Sequence, residues 1–372
     1  MRKKILIISI SLFFLAGAAY GIKNFFLDKQ GGKLEVTNKE KDREETKENS
    51  SFSVLVEGDV KSAAFNRDKD VIFYYNKNNF LSLSLEGLYK KNAGSYPLKK
   101  PEEIEWSFNR NKVMVKQDNR ISAFKLFDNE STELKKGIRE AVWNTFGDGI
   151  IYHYADKAGQ VSEIDISSTN GENWKKIIDT PFENVELKLR PGNKEVLYYP
   201  SGQNSNDTEN GVYLVDLVEK EREKIFDLKK NFSCQWSPEG EYLLISFQQA
   251  DKAELGYLDI ESGEYYSLAF PTVAEKCVWG DKGEFVYCGL ITGFSEDVNL
   301  IENWKEERFF SNDTFWRIDT EAGKKDRLTD LQKEKNSVDA VNLLFNEKQG
   351  KLYFIDRKSG NLMSAEVDIK EK

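Results

Sequence analysis

One histidine, three cysteines and seven prolines are all that 372 residues contain of those types. The lone imidazole, His153, excludes a zinc site that needs two of them, and three thiols are too few for a disulfide-built scaffold. Basic clusters are missing as well. The formal charge is −9, and an acidic surface repels phosphate, so no nucleic-acid partner is expected. No G-x-S-x-G elbow of the α/β-hydrolase kind occurs. Hydrophobic residues at 39% and charged ones at 31% still leave apolar material for a large core, which excludes a polytopic membrane protein, a collagen and a wholly disordered polymer.

One long apolar run is present. Arg2, Lys3 and Lys4 precede Ile5 to Ile22, 18 uncharged residues, close to the ~17–25 that span hydrocarbon as a helix. Lys23, Phe25, Phe26 and Leu27 behind it resemble an interfacial belt, while Ala16-Gly17-Ala18 offers a small-residue cleavage motif. Residues 1–27 therefore predict a signal-anchor transmembrane helix or a signal peptide. Either exports the remainder of the chain, because the basic flank stays inside. The expected location is the cell membrane, single-pass with an extracytoplasmic C-terminal domain, or a secreted or periplasmic state after cleavage. Residues 28–50 are dense in Lys, Glu and Asp, which predicts a charged disordered spacer. As a coil it reaches on the order of 25 Å.

Residues 51–372 repeat themselves. A turn recurs at Ala64-Phe65-Asn66-Arg67, Trp106-Ser107-Phe108-Asn109, Trp143-Asn144-Thr145-Phe146-Gly147, Leu189-Arg190-Pro191-Gly192, Trp236-Ser237-Pro238-Glu239-Gly240, Trp279-Gly280-Asp281-Lys282-Gly283 and Leu344-Phe345-Asn346-Glu347. Each leads into a β-rich run, such as Val71 to Tyr75 or Tyr242 to Phe247. The turns are spaced by 41, 37, 46, 47, 43 and 65 residues, against about 40–50 for a four-stranded propeller blade. The long last interval holds an insertion, 292–312. A single such sheet has two apolar faces and cannot bury them alone, whereas sheets stacked around an axis bury both. The Trp at the turn suits a wedge between blades, its N–H reaching a backbone acceptor. The seventh copy has material for three strands, and Phe52 to Val56 is a spare strand that would complete it. The expected fold is all-β: a β-propeller of seven four-stranded blades closed by the N-terminal strand and preceded by one hydrophobic helix. A β-sandwich, or six or eight blades, is the competing reading.

The turn Trp236-Ser237-Pro238-Glu239-Gly240 resembles the W-S-P-D-G repeat of TolB-type, WD40-like (PD40) bacterial propellers, with Trp279-Gly280-Asp281-Lys282-Gly283 and Arg190-Pro191-Gly192 as weaker copies. That resemblance implies a protein-binding platform of the bacterial envelope. The α/β domain that precedes a TolB propeller has no counterpart in residues 28–50.

Candidate chemistry is sparse. His153 lies within an expected second strand, where a packed histidine is the ordinary outcome. Ser167-Ser168-Thr169-Asn170-Gly171-Glu172-Asn173-Trp174 resembles the S-x-D-x-G-x-T-W turn of sialidases, with Thr169 in place of Asp, and reads as a blade-edge turn. Cys234 and Cys277 each stand two residues before a Trp, as small buried groups would; Cys277 and Cys288 flank a hairpin and could pair across it in an oxidising compartment. Asn204 to Gly211 carries alternate oxygen donors without the leading Asp and trailing Glu of a calcium loop. No catalytic set, metal site or cofactor is expected. The sequence predicts a membrane-tethered, non-catalytic binding or scaffolding module for an envelope protein, peptide or glycan. The partner-facing candidates are Phe294, Trp304, Phe309 and Phe310 of the insertion, since aromatics are enriched at interface cores. A propeller hydrolase or lyase on carbohydrate or peptide, with carboxylates at the channel mouth, is the alternative.

Overall fold

Val71–Asn76 is a string of β-branched and aromatic residues and Tyr242–Gln249 begins as a run of aliphatic and aromatic ones, apolar on both faces, which only a strand covered on both sides can bury. The computed structural model describes residues 52–156, 160–192, 194–201, 210–250, 252–292, 300–329 and 337–367, together with the short strand Glu35–Val36. The chain divides into two compact units, Met1–Glu35 and Val36–Lys372, and the second holds the repeats. The hydrophobic helix expected at 1–27 lies outside the described residues, as does the spacer at 28–50 apart from that strand.

Seven antiparallel four-stranded blades follow one another around a ring. Their innermost strands are Val60–Phe65, Glu103–Trp106, Ile138–Trp143, Val185–Leu189, Ser233–Trp236, Cys277–Trp279 and Ala340–Asn346. Three further strands step outward in each blade, and polarity rises with them: Glu130–Glu133, at the rim of blade two, is exposed throughout. In blade seven the two middle strands are Lys351–Asp356 and Asn361–Glu366, and the outermost is Phe52–Val56, the spare strand, paired with Asn361–Glu366. The first and last strands of the propeller therefore share one sheet.

Seven hydrophobic clusters fill the seven interfaces between successive blades. Tyr75 and Phe80 meet Val113 and Phe124 between blades one and two, and Val142 and Ile151 meet Leu187 and Val196 between three and four. The last blade meets the first in the same way: Tyr353, Ile355 and Leu362 pack on Phe65, Ile72 and Leu83. A cluster at that seam is what closes the ring. Side chains buried to this degree contribute about 1.5–3 kcal/mol each relative to exposure.

The turn after each inner strand also locks neighbours together. Gly240 sits at φ 73°, and a Cβ there would stand 2.8 Å from the Pro191 carbonyl of the preceding blade, so glycine is required on both counts. Blades one and two place Lys69 and Arg110 at the matching left-handed position instead, and their side chains reach the Phe345 and Phe65 carbonyls of the preceding blade, at 3.3 and 2.7 Å. In blade six Cys277 lies directly opposite Cys288 and the two form a disulfide, resolving in favour of pairing what their flanking positions had left open. Cys234, equally buried, remains a free thiol.

Candidate functional site: the axial channel

The four tryptophans that end inner strands turn toward the preceding blade, and their indole N–H groups fix the ring's geometry. Trp106 donates to Ser62 Oγ at 2.8 Å and Trp143 to the Glu105 carbonyl at 3.0 Å. Trp236 and Trp279 reach the Lys188 and Gln235 carbonyls at 3.5 and 3.4 Å. The equivalent residues in blades one, four and seven are Phe65, Leu189 and Phe345. Alternation then sends residues one and three positions earlier to the other face of the innermost strand, beside the axis, where Val142 packs on blade four and Ser62 and Asn342 bond to the following blade. Three positions earlier every blade carries a polar residue: Ser62, Glu103, Glu140, Glu186, Ser233, Lys276 and Asn342. One position earlier, blades two, four and five carry Glu105, Lys188 and Gln235, and the other four are apolar.

Most of the first set is committed to holding blades together. Ser62 takes the Trp106 indole bond. Glu140 Oε2 takes a 2.6 Å bond from Lys116 of blade two. Ser233 Oγ lies 2.8 Å from Ser246 Oγ and donates to Glu275 at 2.5 Å. Asn342 clamps both backbone groups of Ala63, at 2.7 and 3.1 Å. Lys276 is wholly buried between Asp313 and Asp339. Five axial side chains remain. Among the described residues, those of Glu103, Glu105, Glu186, Lys188 and Gln235 find no hydrogen-bond or ion-pair partner, and the Gln235 Oε1 atom is buried with its lone pairs unused.

Three of them, Glu103, Glu105 and Lys188, are shifted by their surroundings. Burial, and then the charge of Glu103, pushes the Glu105 carboxyl up to about 7. Burial and Glu186 raise Glu103, and burial followed by Glu103 raises Glu140, against the pull of Lys116. Burial draws Lys188 down, but Cys234 and the three glutamates of blades two and four raise it overall. Blade three separates their strands, so this coupling runs through the channel.

His153 is fully buried in blade three, opposite Glu140, with Nε2 2.8 Å from Ser162 Oγ and Nδ1 unpartnered. Burial lowers it to about 4, so it stays neutral at physiological pH. The turn at Ser167–Trp174 joins the two outer strands of blade three and borders a cleft of about 460 Å³ against blade two. Asn204 to Gly211 lies outside the described residues except for Asn210 and Gly211. Among the described residues no group of three or more His, Cys, Asp or Glu side chains is arranged to hold a metal ion.

The described part of the insertion, from Leu300 onward, is anchored on the propeller. Its helix, Leu300–Lys305, packs Leu300, Ile301 and Trp304 on Ala253, Val273 and Ile291 of blades five and six. Trp304 is only 5% exposed, donates from Nε1 to Asp339 at 3.1 Å and lies under both Lys276 and Arg357, 4.9 and 4.5 Å from its ring centre. Its ring is enclosed by the protein itself, because the buried Asp339 needs every donor within reach. Phe309 packs half-buried against the same cluster, and its carbonyl accepts from Arg357. Phe310 is 46% exposed. Phe294 lies outside the described residues. Of the four aromatics expected to face a partner, Phe310 alone is exposed among those described. No sequence motif marks the axial set; its signal is the alternation at positions one and three before each turn.

Comparison with known proteins agrees on the fold. No family model matches the chain, and no curated protein matches it by sequence. Among solved structures, an oligogalacturonate lyase from Vibrio parahaemolyticus is similar at TM-score 0.60 and 12% identity, over 86% of this chain and 94% of the lyase. The β-propeller domain of Cps50 (Swd1) from Myceliophteria thermophila gives 0.56 and 11%, over 85% and 99%. TolB from Acinetobacter baumannii gives 0.46 and 13%, over 72% and 62%.

Proposed function

We propose that the chain is an exported, membrane-tethered propeller that binds another envelope molecule, a protein, peptide or glycan, without catalysing its conversion, and that the axial channel is the binding site. The observation that carries this is the set of five polar side chains on inner strands that nothing in the fold uses. Glu103 is exposed and the other four are half-buried, so apart from the buried Gln235 Oε1 atom these groups remain open to a ligand and make no bond within the fold. The membrane tether rests on Ile5 to Ile22; among the described residues no helix is long and apolar enough to cross a membrane. A photo-crosslinking residue at Lys188 in the full-length protein, irradiated in native membranes, is expected to give one discrete adduct. Adducts from the outer-rim position Val218 but none from Lys188 would refute the channel as the site.

One observation supports the alternative, a hydrolase or lyase. A carboxyl held near 7, as Glu105 is, is half-protonated at neutral pH and suited to proton transfer, with Lys188 beside it to stabilise developing negative charge. The similarity to an oligogalacturonate lyase supplies the fold alone. Three unpaired glutamates would also repel a polyanionic substrate. A screen of glycan and peptide substrates in which Glu105→Gln abolishes a turnover seen in the parent protein would establish this second reading.

A further inference from the structure

We propose that the channel takes a cationic group: the ammonium or guanidinium of a basic side chain on a peptide or protein segment entering along the propeller axis. This rests on the channel being the binding site. The uncommitted axial charges are Glu103, Glu105 and Glu186 against Lys188. The surrounding charges are otherwise engaged. Lys116 and Glu140 pair with each other, Arg139 pairs with Glu183 at 2.9 Å, and Arg110 donates to the Phe65 and Ser107 carbonyls. Glu275, the acidic group on the blade-six side, is held by Ser233 and Lys305. What remains is a net negative site with too few donors.

Gln235 points to the same chemistry independently. Its buried, unused oxygen is an acceptor that lacks a donor. Lysine and arginine head groups carry donors and no acceptors, so they satisfy this oxygen and the carboxylates without setting lone pairs against them. A neutral sugar hydroxyl brings both, and an anion brings only acceptors. The spacing argues for an extended ligand over a free ion. Glu103 and Glu105 are two residues apart on one strand, roughly 6–7 Å along the axis, and the described residues form no compact oxygen cluster for a metal. The turns that continue the inner strands of blades two and three carry Phe108 and Phe146, 56% and 77% exposed. Their turns touch: a Cβ on Gly147 would lie 3.4 Å from Ser107 Cβ. They offer apolar contact to the backbone of such a segment.

A cation entering beside raised carboxyls favours their ionised form, so binding releases protons and tightens with pH. The test is calorimetry of the full-length protein in detergent with hexalysine, hexaglutamate and a neutral Gly-Ser hexapeptide, at pH 6 and 8, in two buffers of different ionisation enthalpy. Hexalysine alone should bind, at least fivefold more tightly at pH 8, with measurable proton release. Glu105→Gln with Glu186→Gln should weaken it tenfold or more and remove the proton release, whereas Glu219→Gln with Glu261→Gln, on exposed turns, should leave it unchanged. Unaltered unfolding curves establish that the variants are folded. Equal loss from the channel pair and the surface pair would mean general attraction to an acidic protein and overturn the proposal. No hexalysine binding, with the Lys188 crosslink intact, would overturn the cation assignment and leave the channel standing. Loss of both would remove the channel as a site.

Discussion

Two sides of the ring hold ionic groups in opposite ways. Under the insertion, at blades six and seven, Lys276 Nζ lies 2.5 Å from Asp313 and 2.6 Å from Asp339, and donates to the Ala340 carbonyl at 3.0 Å. Asp339 further accepts from Trp304, Ser311 and Arg357, and Arg357 ties down the Trp304 carbonyl at 2.8 Å. Each donor there has an acceptor. At blades two and four, Glu103, Glu105 and Lys188 have their titration shifted by burial and by neighbours that include Glu186, and none of the four forms a bond. The first arrangement fastens an insertion to the body. The second makes no bond within the fold and is the arrangement that the proposed ligand would complete.

The sharpest way to break this contrast is to remove one lysine from each side. Lys276→Met leaves the buried Asp313 without a cation and Asp339 with Arg357 alone, and should lower unfolding free energy by about 3–5 kcal/mol. Lys188→Met should change it by less than about 1 kcal/mol, because no bond is lost. Denaturant titration of the two variants reads both numbers. Next in size is the disulfide: Cys277→Ala with Cys288→Ala should cost roughly 2–3 kcal/mol, measurable as a lowered midpoint that matches the reduced parent protein. The blade wedges, in contrast, should be alike on both sides. Trp143→Phe and Trp279→Phe each keep most of the ring's bulk and lose one hydrogen bond, at about 0.5–1.5 kcal/mol apiece. A large difference between them would mean the interfaces are not equivalent.

The smallest expected effect is a pH dependence. Glu105 is raised from 4.5 to about 7, so the folded state holds a proton that the unfolded chain has released between those values. Its contribution is therefore fully present below about 4.5 and is lost as pH rises through about 7. Stability of the parent protein should decline across that window more steeply than that of Glu105→Gln. Thermal melts at half-unit steps between pH 4.5 and 8 would show it, and parallel curves would contradict the assignment.

The ring was legible in the sequence because its signals are local. Trp236-Ser237-Pro238-Glu239-Gly240 names a turn whose glycine needs positive φ, and apolar runs at blade spacing follow each such turn. Even the closure could be inferred from a strand, Phe52–Val56, with no copy of its own. The insertion was not legible in the same way. Composition shows that Trp304 and Phe310 are aromatic but not which way each ring faces. That is decided by Asp339 and Arg357, 35 and 53 residues further along from Trp304. The axial residues fall between these cases. Glu103, Glu105, Glu186 and Lys188 alternate visibly, yet their alternation gains meaning only once seven inner strands are aligned on their turns.

The central claim is that the axial carboxylates contribute nothing to stability. The direct measurement is the unfolding free energy of the triple variant Glu103→Gln, Glu105→Gln, Glu186→Gln at pH 8, by denaturant titration of the full-length protein. A value equal to or above that of the parent protein is predicted, since three mutually repelling charges disappear. A loss comparable to that of Lys276→Met would show that these side chains hold the propeller together, and the channel would cease to be a candidate site.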